Sequence, residues 1–414
     1  MSEAYIIDAA RTPRGIGKIG KGALSHLHPQ HFAATVLKAL RDRNDLDTAD
    51  VEDVIWSTSV QKGRQGVDIG RQSALLAGYD VRASGVTLDR FCGGGITAVN
   101  LGAAMIMGRM GDLVIAGGTE MMSYTFHYQS LEAAAGLALD ISAGNERLME
   151  LHPQSHQGVC ADAIAAMEGI GRADLDALAL ESQKRAKVAI EEGRFARSLV
   201  PVANEDGSIA LEAEEFPRPQ TTMETLAGLK PSFDALADHA VDGRTFRQLI
   251  QRKYPGLSWT GVHHAGNSSG VVDGAAGVVL ASPDYVRRRG LKPRARVLAA
   301  ANVGDCPTLM LNAPVPAARK ALARAGLTPE DIDLWEINEA FAVVAEKFIR
   351  DLRLDRDKVN VNGGACALGH PIGATGAILI GTLLDELERR DLRRGLVTMC
   401  AAGGMAPAII IERV

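Results

Sequence analysis

Two apolar runs that stop at glycines, LVIAGGTEMM from Leu113 and LVTMCAAGGM from Leu396, constrain this chain more than any other feature. Each reads as a short buried strand closed by glycine. Other segments pair in the same order. The opening strand at 4–10 is echoed by RVLAAANVG from Arg296, and VEDVIWSTSV from Val51 by DIDLWEINEAF from Asp331. Helical stretches at 29–43, 68–76, 96–107 and 314–325 alternate with these strands, which argues for α/β layering. Two copies of one α/β unit are therefore expected. At 414 residues the chain exceeds the size at which a single core stops growing, and the duplication accounts for that length.

The stretch between the copies is different. It is richer in His, Pro and charge, its clearest helix spans 172–192, and FPRPQTTMETLAGLKPSF reads as a loop. We read it as an inserted, partly helical loop domain covering the site. The expected division is an N-terminal half at 1–122, the insertion at 123–268, a return segment at 269–292 that completes the first half, and a C-terminal half at 293–414. The run Arg287, Arg288 and Arg289 is expected to be a solvated face.

Composition narrows the function classes. A net charge of −5 gives no reason to expect nucleic acid as partner. No apolar run reaches the roughly 18 residues of a membrane span. The N-terminus reads as having no secretory leader, so the expected location is the cytoplasm. Five scattered cysteines without a CxxC pair suit neither a disulfide scaffold nor a structural zinc site, and no metal is expected. The question becomes which cysteine reacts.

Cys92 lies between an extended segment and a helix of small residues, followed by three glycines. A thiol there faces unpaired backbone N–H groups and the positive end of the helix dipole, which is expected to lower its pKa. A buried core cysteine is the competing reading. His370, in ALGHPIGATG, has the near-neutral pKa of a base for a thiol, or is a structural histidine ahead of Pro371. Cys400 ends the last of the paired strands, in the place equivalent to the end of LVIAGG. Asn338 and Glu339 leave another strand, and strand ends are where open α/β sheets put ligand-binding residues. Neither FCGGG nor GATGA is a nucleotide fingerprint.

The stretches DAARTPRG, RFCGGGITAVNLGA, LVIAGGTEMMS, AGNSSGVVDGAA, EINEAFA, NVNGGACALGHPIGATGA and CAAGGM resemble, in order and over nearly the whole chain, the thiolase family. The resemblance implies a thiolase-like α/β fold, two duplicated halves with mixed five-stranded sheets in α-β-α-β-α layers. It implies cleavage of a 3-oxoacyl-CoA by CoA through a thioester on Cys92, reversible by Claisen condensation. His370 would activate Cys92, Asn338 would hold a water that with His370 forms one oxyanion hole, and Cys400 would be the acid/base. The backbone N–H groups of Cys92 and Ala402 would form a second hole. Ala402 stands where the family usually has glycine, so a left-handed φ there would crowd the pocket.

The resemblance also implies that CoA comes as a substrate, with no permanently bound cofactor, and that the protein is a homodimer or homotetramer. Ser269, Gly270 and His156 would meet the CoA arm, and Arg218, Lys230, Arg247 or Arg252 its phosphates. His263 and His264 would line the pantetheine channel. HPQSHQGVCADAIA resembles segments of bacterial degradative thiolases, including some acting on steroid-derived acyl groups. Alternatives are a short-chain biosynthetic acetoacetyl-CoA thiolase and a non-enzymatic acyl-CoA or lipid binder on the same fold. A decarboxylating condensing enzyme would resemble Cys-His-His rather than Cys92, His370, Asn338 and Cys400.

Overall fold

The computed structural model describes residues 3–135, 144–241 and 243–414, so residues 136–143 and 242 of the expected insertion and 1–2 of the first half lie outside the described residues. The first half runs β1 (Tyr5–Arg11), β2 (Gly15–Ile16), α1 (Pro29–Arg43), β3 (Asp53–Ser57), α2 (Ile69–Leu76), β4 (Ser84–Leu88), α3 (Gly94–Met107) and β5 (Leu113–Met121). Local chemistry sets these limits. Helix α1 starts where the His28 side chain accepts the Gln30 N–H and Pro29 needs no partner in the first turn. Helix α3 begins two residues earlier than its apolar pattern suggests, because a 3₁₀ turn at Phe91–Gly93 runs straight into it.

The insertion carries α4 (Met122–Ala134), α5 (Glu146–Leu151), α6 (Gln157–Met167), α7 (Arg172–Glu191), the hairpin β6 (Val202–Ala203) and β7 (Ile209–Leu211), α8 (Met223–Ala227), α9 (Asp234–Ala237), the hairpin β8 (Ala240–Val241) and β9 (Arg244–Thr245), and α10 (Phe246–Gln251). The proline-rich stretch expected as a loop thus contains α8, started by the Thr222 hydroxyl accepting the Thr225 N–H. A buried ion cluster ties the insertion to the first half. Glu214 meets Arg11 at 2.6 Å and Arg14 at 2.9 Å. Burial raises its carboxyl, but the two guanidinium groups outweigh that and hold it at about 2.

The chain then returns through β10 (Val272–Ala281) and α11 (Pro283–Arg289), whose arginines pair with Asp284, Asp112, Asp47 and Asp50 on the surface as expected. The second half follows as β11 (Ala295–Gly304), α12 (Pro314–Ala325), β12 (Leu334–Ile337), α13 (Ala342–Leu352), α14 (Ala365–Leu368), α15 (Ile372–Arg389), β13 (Arg394–Thr398) and β14 (Met405–Arg413). Strand β14 had no counterpart in the sequence reading, since Pro407 interrupts its pattern; there the proline carbonyl accepts the Thr398 hydroxyl.

The duplication is written in the sheet. The first half has the order β4-β3-β5-β10-β1, and the second repeats it as β12-β13-β14-β11 with the same parallel and antiparallel senses. At the fifth place of the second half stands an isolated parallel bridge between Trp335 and Val359 rather than a strand. Asn360 explains the break. Its φ is +48°, which turns the chain away, while its side-chain amide pairs with the Ile337 N–H and carbonyl at 2.9 Å each and replaces the missing ladder. The two halves join edge to edge through Tyr5 and Ile6 opposite Arg296 and Ala295.

Five layers result. Helices α1 and α2 cover one half-sheet, α12 and α13 the other, and α3 and α15 lie between the two. Separate clusters of buried side chains fill the outer first half, the central layer and the outer second half. Among the described residues no helix is long and apolar enough to cross a membrane. At the centre, α3 and α15 touch backbone to backbone: a Cβ on Gly95 would lie 2.9 Å from the Gly373 carbonyl oxygen, and one on Gly376 2.1 Å from the Ile96 nitrogen. Backbone cannot step aside as a side chain can. Gly376→Ala is therefore expected to destabilise the protein by at least about 1–3 kcal/mol, read as a lowered Tm; a Tm equal to wild type would mean the two helices are free to separate.

Candidate active site

Cys92 is delivered by a strained turn. Phe91 before it has φ +48°, a left-handed conformation that costs a bulky residue about 1–3 kcal/mol. The Asp89 carboxylate holds the turn by accepting the Phe91 N–H at 2.6 Å. The turn packs on the first turn of α15, and a Cβ on Gly93 would meet Pro407 and Ala401. Cys92 thus faces a cavity of about 670 Å³ lined also by Phe126, Gln154, Phe246, Ile372 and Ala402. Its thiol is pushed up, not down, by burial first and then by Cys400 and the Glu120 carboxylate. This corrects the expectation from the helix dipole: burial and the neighbouring Glu120 carboxylate outweigh the end of α3.

His370 arrives from the other half, between Gly369 and the start of α15, with its backbone N–H donated to the Gly270 carbonyl at 2.9 Å. Its ring has a single partner. Nδ1 lies 2.6 Å from the Thr375 hydroxyl, which also reaches the Pro371 carbonyl at 3.1 Å. A carbonyl can only accept, so the hydroxyl proton goes to Pro371 and Nδ1–H donates to Thr375. Nε2 is then left as a free, buried lone pair. Burial lowers the imidazole to about 3, so the ring stays neutral.

Asn338 and Cys400 leave neighbouring parallel strands. The β12 and β13 ladder ends with Ile337 opposite Thr398, and the Asn338 N–H reaches the Thr398 carbonyl at 3.3 Å. Both polar atoms of the Asn338 side chain are buried without a partner, a costly state unless a small polar group sits there. Cys400 is buried, and burial pushes its thiol up to about 12. After it the chain reverses through Gly403 and Gly404, which take the left-handed φ values; Ala402 does not, so its methyl is accommodated without strain.

The candidate CoA contacts divide. His156 lines the same cavity as Cys92, capping α6 through the Gly158 N–H and flanked by Phe233 and Phe246. Ser269 and Gly270 act through their backbones, Ser269 N–H to the Ala340 carbonyl and Gly270 to both Ala365 and His370, so they join the Asn338 loop to the His370 loop. Arg218 lines a separate cavity of about 230 Å³ with its guanidinium over Phe216, and Lys230 is exposed away from both cavities. Arg247 is engaged by Asp238 and Trp259, and Arg252 by the carbonyls of Met149 and Glu150.

His263 and His264 line neither the Cys92 cavity nor the Arg218 cavity. Both are buried, His263 against Asp162 at 2.7 Å and His264 against Asp176 at 2.8 Å. Asp176 also accepts from Asn267, whose carbonyl takes the Ala342 N–H, so this pair braces the joint between the two loops. The sequence reading missed Asp176, Thr375 and Glu120. Thr375 follows His370 by little more than one helical turn, and Glu120 is the one carboxylate in LVIAGGTEMM; both signals were present. Among the described residues no group of His, Cys, Asp or Glu is placed to hold a metal ion.

Comparisons with known proteins show the family and the fold. The family model described as "Thiolase, N-terminal domain" matches residues 4–241, and "Thiolase, C-terminal domain" matches 291–413. A 3-ketoacyl-CoA thiolase of Shewanella frigidimarina is 37% identical with all of both chains covered. A steroid 3-ketoacyl-CoA thiolase of Mycobacterium tuberculosis is 39% identical, covering 100% of this chain and 95% of the relative. The crystal structure of a Bacillus anthracis acetyl-CoA acetyltransferase superposes with a TM-score of 0.83 at 32% identity, covering 100% of this chain and 99% of the other.

The tautomer assigned to His370 is testable. Thr375→Val keeps the shape but removes the acceptor for Nδ1–H, so the rate of Cys92 alkylation near neutral pH should fall about tenfold or more. An unchanged rate, followed by mass spectrometry, would show that Thr375 does not orient the ring.

Proposed function

The chain belongs to the thiolase family, and on that premise we propose that it cleaves 3-oxoacyl-CoA with CoA through a thioester on Cys92. Products are acetyl-CoA and a shortened acyl-CoA, and the reverse run is a Claisen condensation. What supports the residue roles is Cys92 on the main cavity with Cys400 near enough to act on its thiol, together with a histidine whose Nε2 is buried without a partner and the unpartnered buried amide of Asn338, which leaves the strand beside that of Cys400.

Cys92 sulfur attacks the 3-oxo carbon while its proton passes to His370 Nε2. Both groups are neutral beforehand, so proton transfer accompanies attack. The backbone N–H groups of Cys92 and Ala402 receive the oxyanion at the attacked carbon; His370, with a water held by Asn338, receives the enolate oxygen of the departing acetyl-CoA. The carbon–carbon bond then breaks and Cys400 gives its proton to the enolate carbon. A thiol held near 12 is suited to that step, since it remains protonated until a carbanion appears. In the second half-reaction Cys400 takes the proton of incoming CoA, whose sulfur displaces the acyl group from Cys92.

The cavity is in the range that holds a drug-sized molecule, which favours fatty or steroid-derived acyl chains over acetoacetyl alone. His156, Ser269 and Gly270 are assigned to the pantetheine side and Arg218 with Lys230 to the outer phosphates. The division at 1–122, 123–268, 269–292 and 293–414 puts the insertion over the site. A homodimer or homotetramer is proposed through the open edge of β4, where Leu75, Leu76, Val81, Val86 and Leu101 are exposed. The reaction needs only soluble CoA thioesters, so we assign the protein to the cytoplasm.

Intact-protein mass after exposure to straight, branched and cyclic 3-oxoacyl-CoAs without free CoA tests the reading. An acyl adduct on Cys92, discharged by CoA, is expected; an adduct confined to another cysteine would overturn it. Cys92→Ala should lose acyl transfer altogether. Cys400→Ala should still load an acyl group while turnover falls by at least about a hundredfold, and a fully active Cys400→Ala enzyme would remove that residue from the mechanism.

A further inference from the structure

Glu120 is a buried carboxylate that the mechanism above does not use. It lies near the end of β5 with no exposed surface. Oε1 accepts from the Thr58 hydroxyl at 3.1 Å and Gln65 Nε2 at 2.7 Å; Oε2 accepts from the Ser59 N–H at 2.9 Å and the Gly373 N–H at 3.0 Å. Three N–H donors and the Thr58 hydroxyl converge on its oxygens and favour the anion, while burial raises its pKa. Gln65 cannot be reversed to change this, because its Oε1 takes the Met121 N–H at 2.6 Å. Among the described residues no Arg, Lys or His forms an ion pair with Glu120. A buried charge without a countercharge is expensive to keep.

Its surroundings say what it does. Gly373 is in the first turn of α15, three residues beyond His370, so the carboxylate fixes the end of the helix that presents the base. Its charge also raises the Cys92 thiol, as does that of Asp89 in the turn before Cys92, with the neutral Cys400 thiol close by beyond β13; His370, uncharged, leads into the helix that Glu120 holds. An anion at this place opposes a thiolate at rest. Once attack has moved the negative charge from sulfur to the substrate oxygen, that opposition no longer acts on the sulfur, a differential effect that assists the step.

We propose, building on the thiolase reading, that Glu120 is a positioning residue whose carboxylate pins the first turn of α15 and keeps Cys92 and His370 as a neutral thiol–imidazole pair until the acyl carbonyl is attacked. The S–H bond then breaks as the S–C bond forms, with the proton going to Nε2.

Three readouts on the full-length protein test it. Alkylation of Cys92 by iodoacetamide across pH, followed by mass spectrometry, should show a midpoint at lower pH in Glu120→Gln, by about one unit or more. Its kcat with a straight-chain 3-oxoacyl-CoA should fall roughly 10- to 100-fold while KM changes little. Glu120→Asp keeps the charge and is expected to keep the wild-type midpoint while kcat falls. An S–H stretch in the infrared spectrum of the resting wild type, absent in Cys92→Ala, should report the neutral thiol directly and requires no Glu120 variant to fold. The proposal is overturned by an unmoved midpoint in Glu120→Gln, by a midpoint in Glu120→Asp that moves as far as in Glu120→Gln, or by absence of the S–H band. Alkylation and the infrared band are read without substrate. Failure of Cys92 to take an acyl group would therefore sink the function reading and leave these outcomes distinct.

Discussion

At the centre of the molecule the N-termini of α3 and α15 meet with no side chain between them, and the active site exists because they do. Gly95 and Gly376 face each other across a gap that a single methyl group would close. Cys92 sits on the turn that leads into one helix and His370 just before the start of the other, so this contact sets how the two segments lie against each other. The surrounding layers serve the same contact. Parallel strands β12 and β13 end side by side and supply Asn338 and Cys400, while β5 ends at Glu120, which binds the first turn of α15. A duplicated fold thus yields an asymmetric site, with different residues at equivalent strand ends.

Desolvation governs the electrostatics. Burial raises both thiols and lowers the imidazole, which favours the uncharged form of each. The hydrogen bonds are arranged to match: Thr375 orients one ring nitrogen and leaves the other free, and Asn338 keeps both polar atoms unpaired for a small polar group. These unsatisfied atoms are the departures from good packing that mark a working site.

The insertion contributes the walls and the bracing. Phe126, Gln154 and Phe246 shape the cavity, and Glu214 binds this region to the first half through Arg11 and Arg14. The two adjacent histidines, unusual in sequence, work as internal struts. His264 with Asp176 and Asn267 fixes the short segment that joins the Asn338 loop to the His370 loop, and Gly270 completes the connection.

The sequence by itself determined the layered duplication, the strands and helices that recur in order, and the family to which the chain belongs. These were legible because strand and helix periodicity, glycine closure and chemically committed residues such as Cys92 and His370 are local properties of the chain. Only the tertiary structure decided the direction of the thiol's shift, the tautomer of His370, the bracing role of His263 and His264, the replacement of a fifth strand by the Asn360 side chain, and the bond from Glu120 to the first turn of α15. Apart from the tautomer, set by the nearby Thr375, these depend on atoms tens to hundreds of positions apart, as with Glu120 and Gly373 or Asp176 and His264. Burial and hydrogen-bond partnership are sums over neighbours in space, and no spacing along the chain encodes that sum.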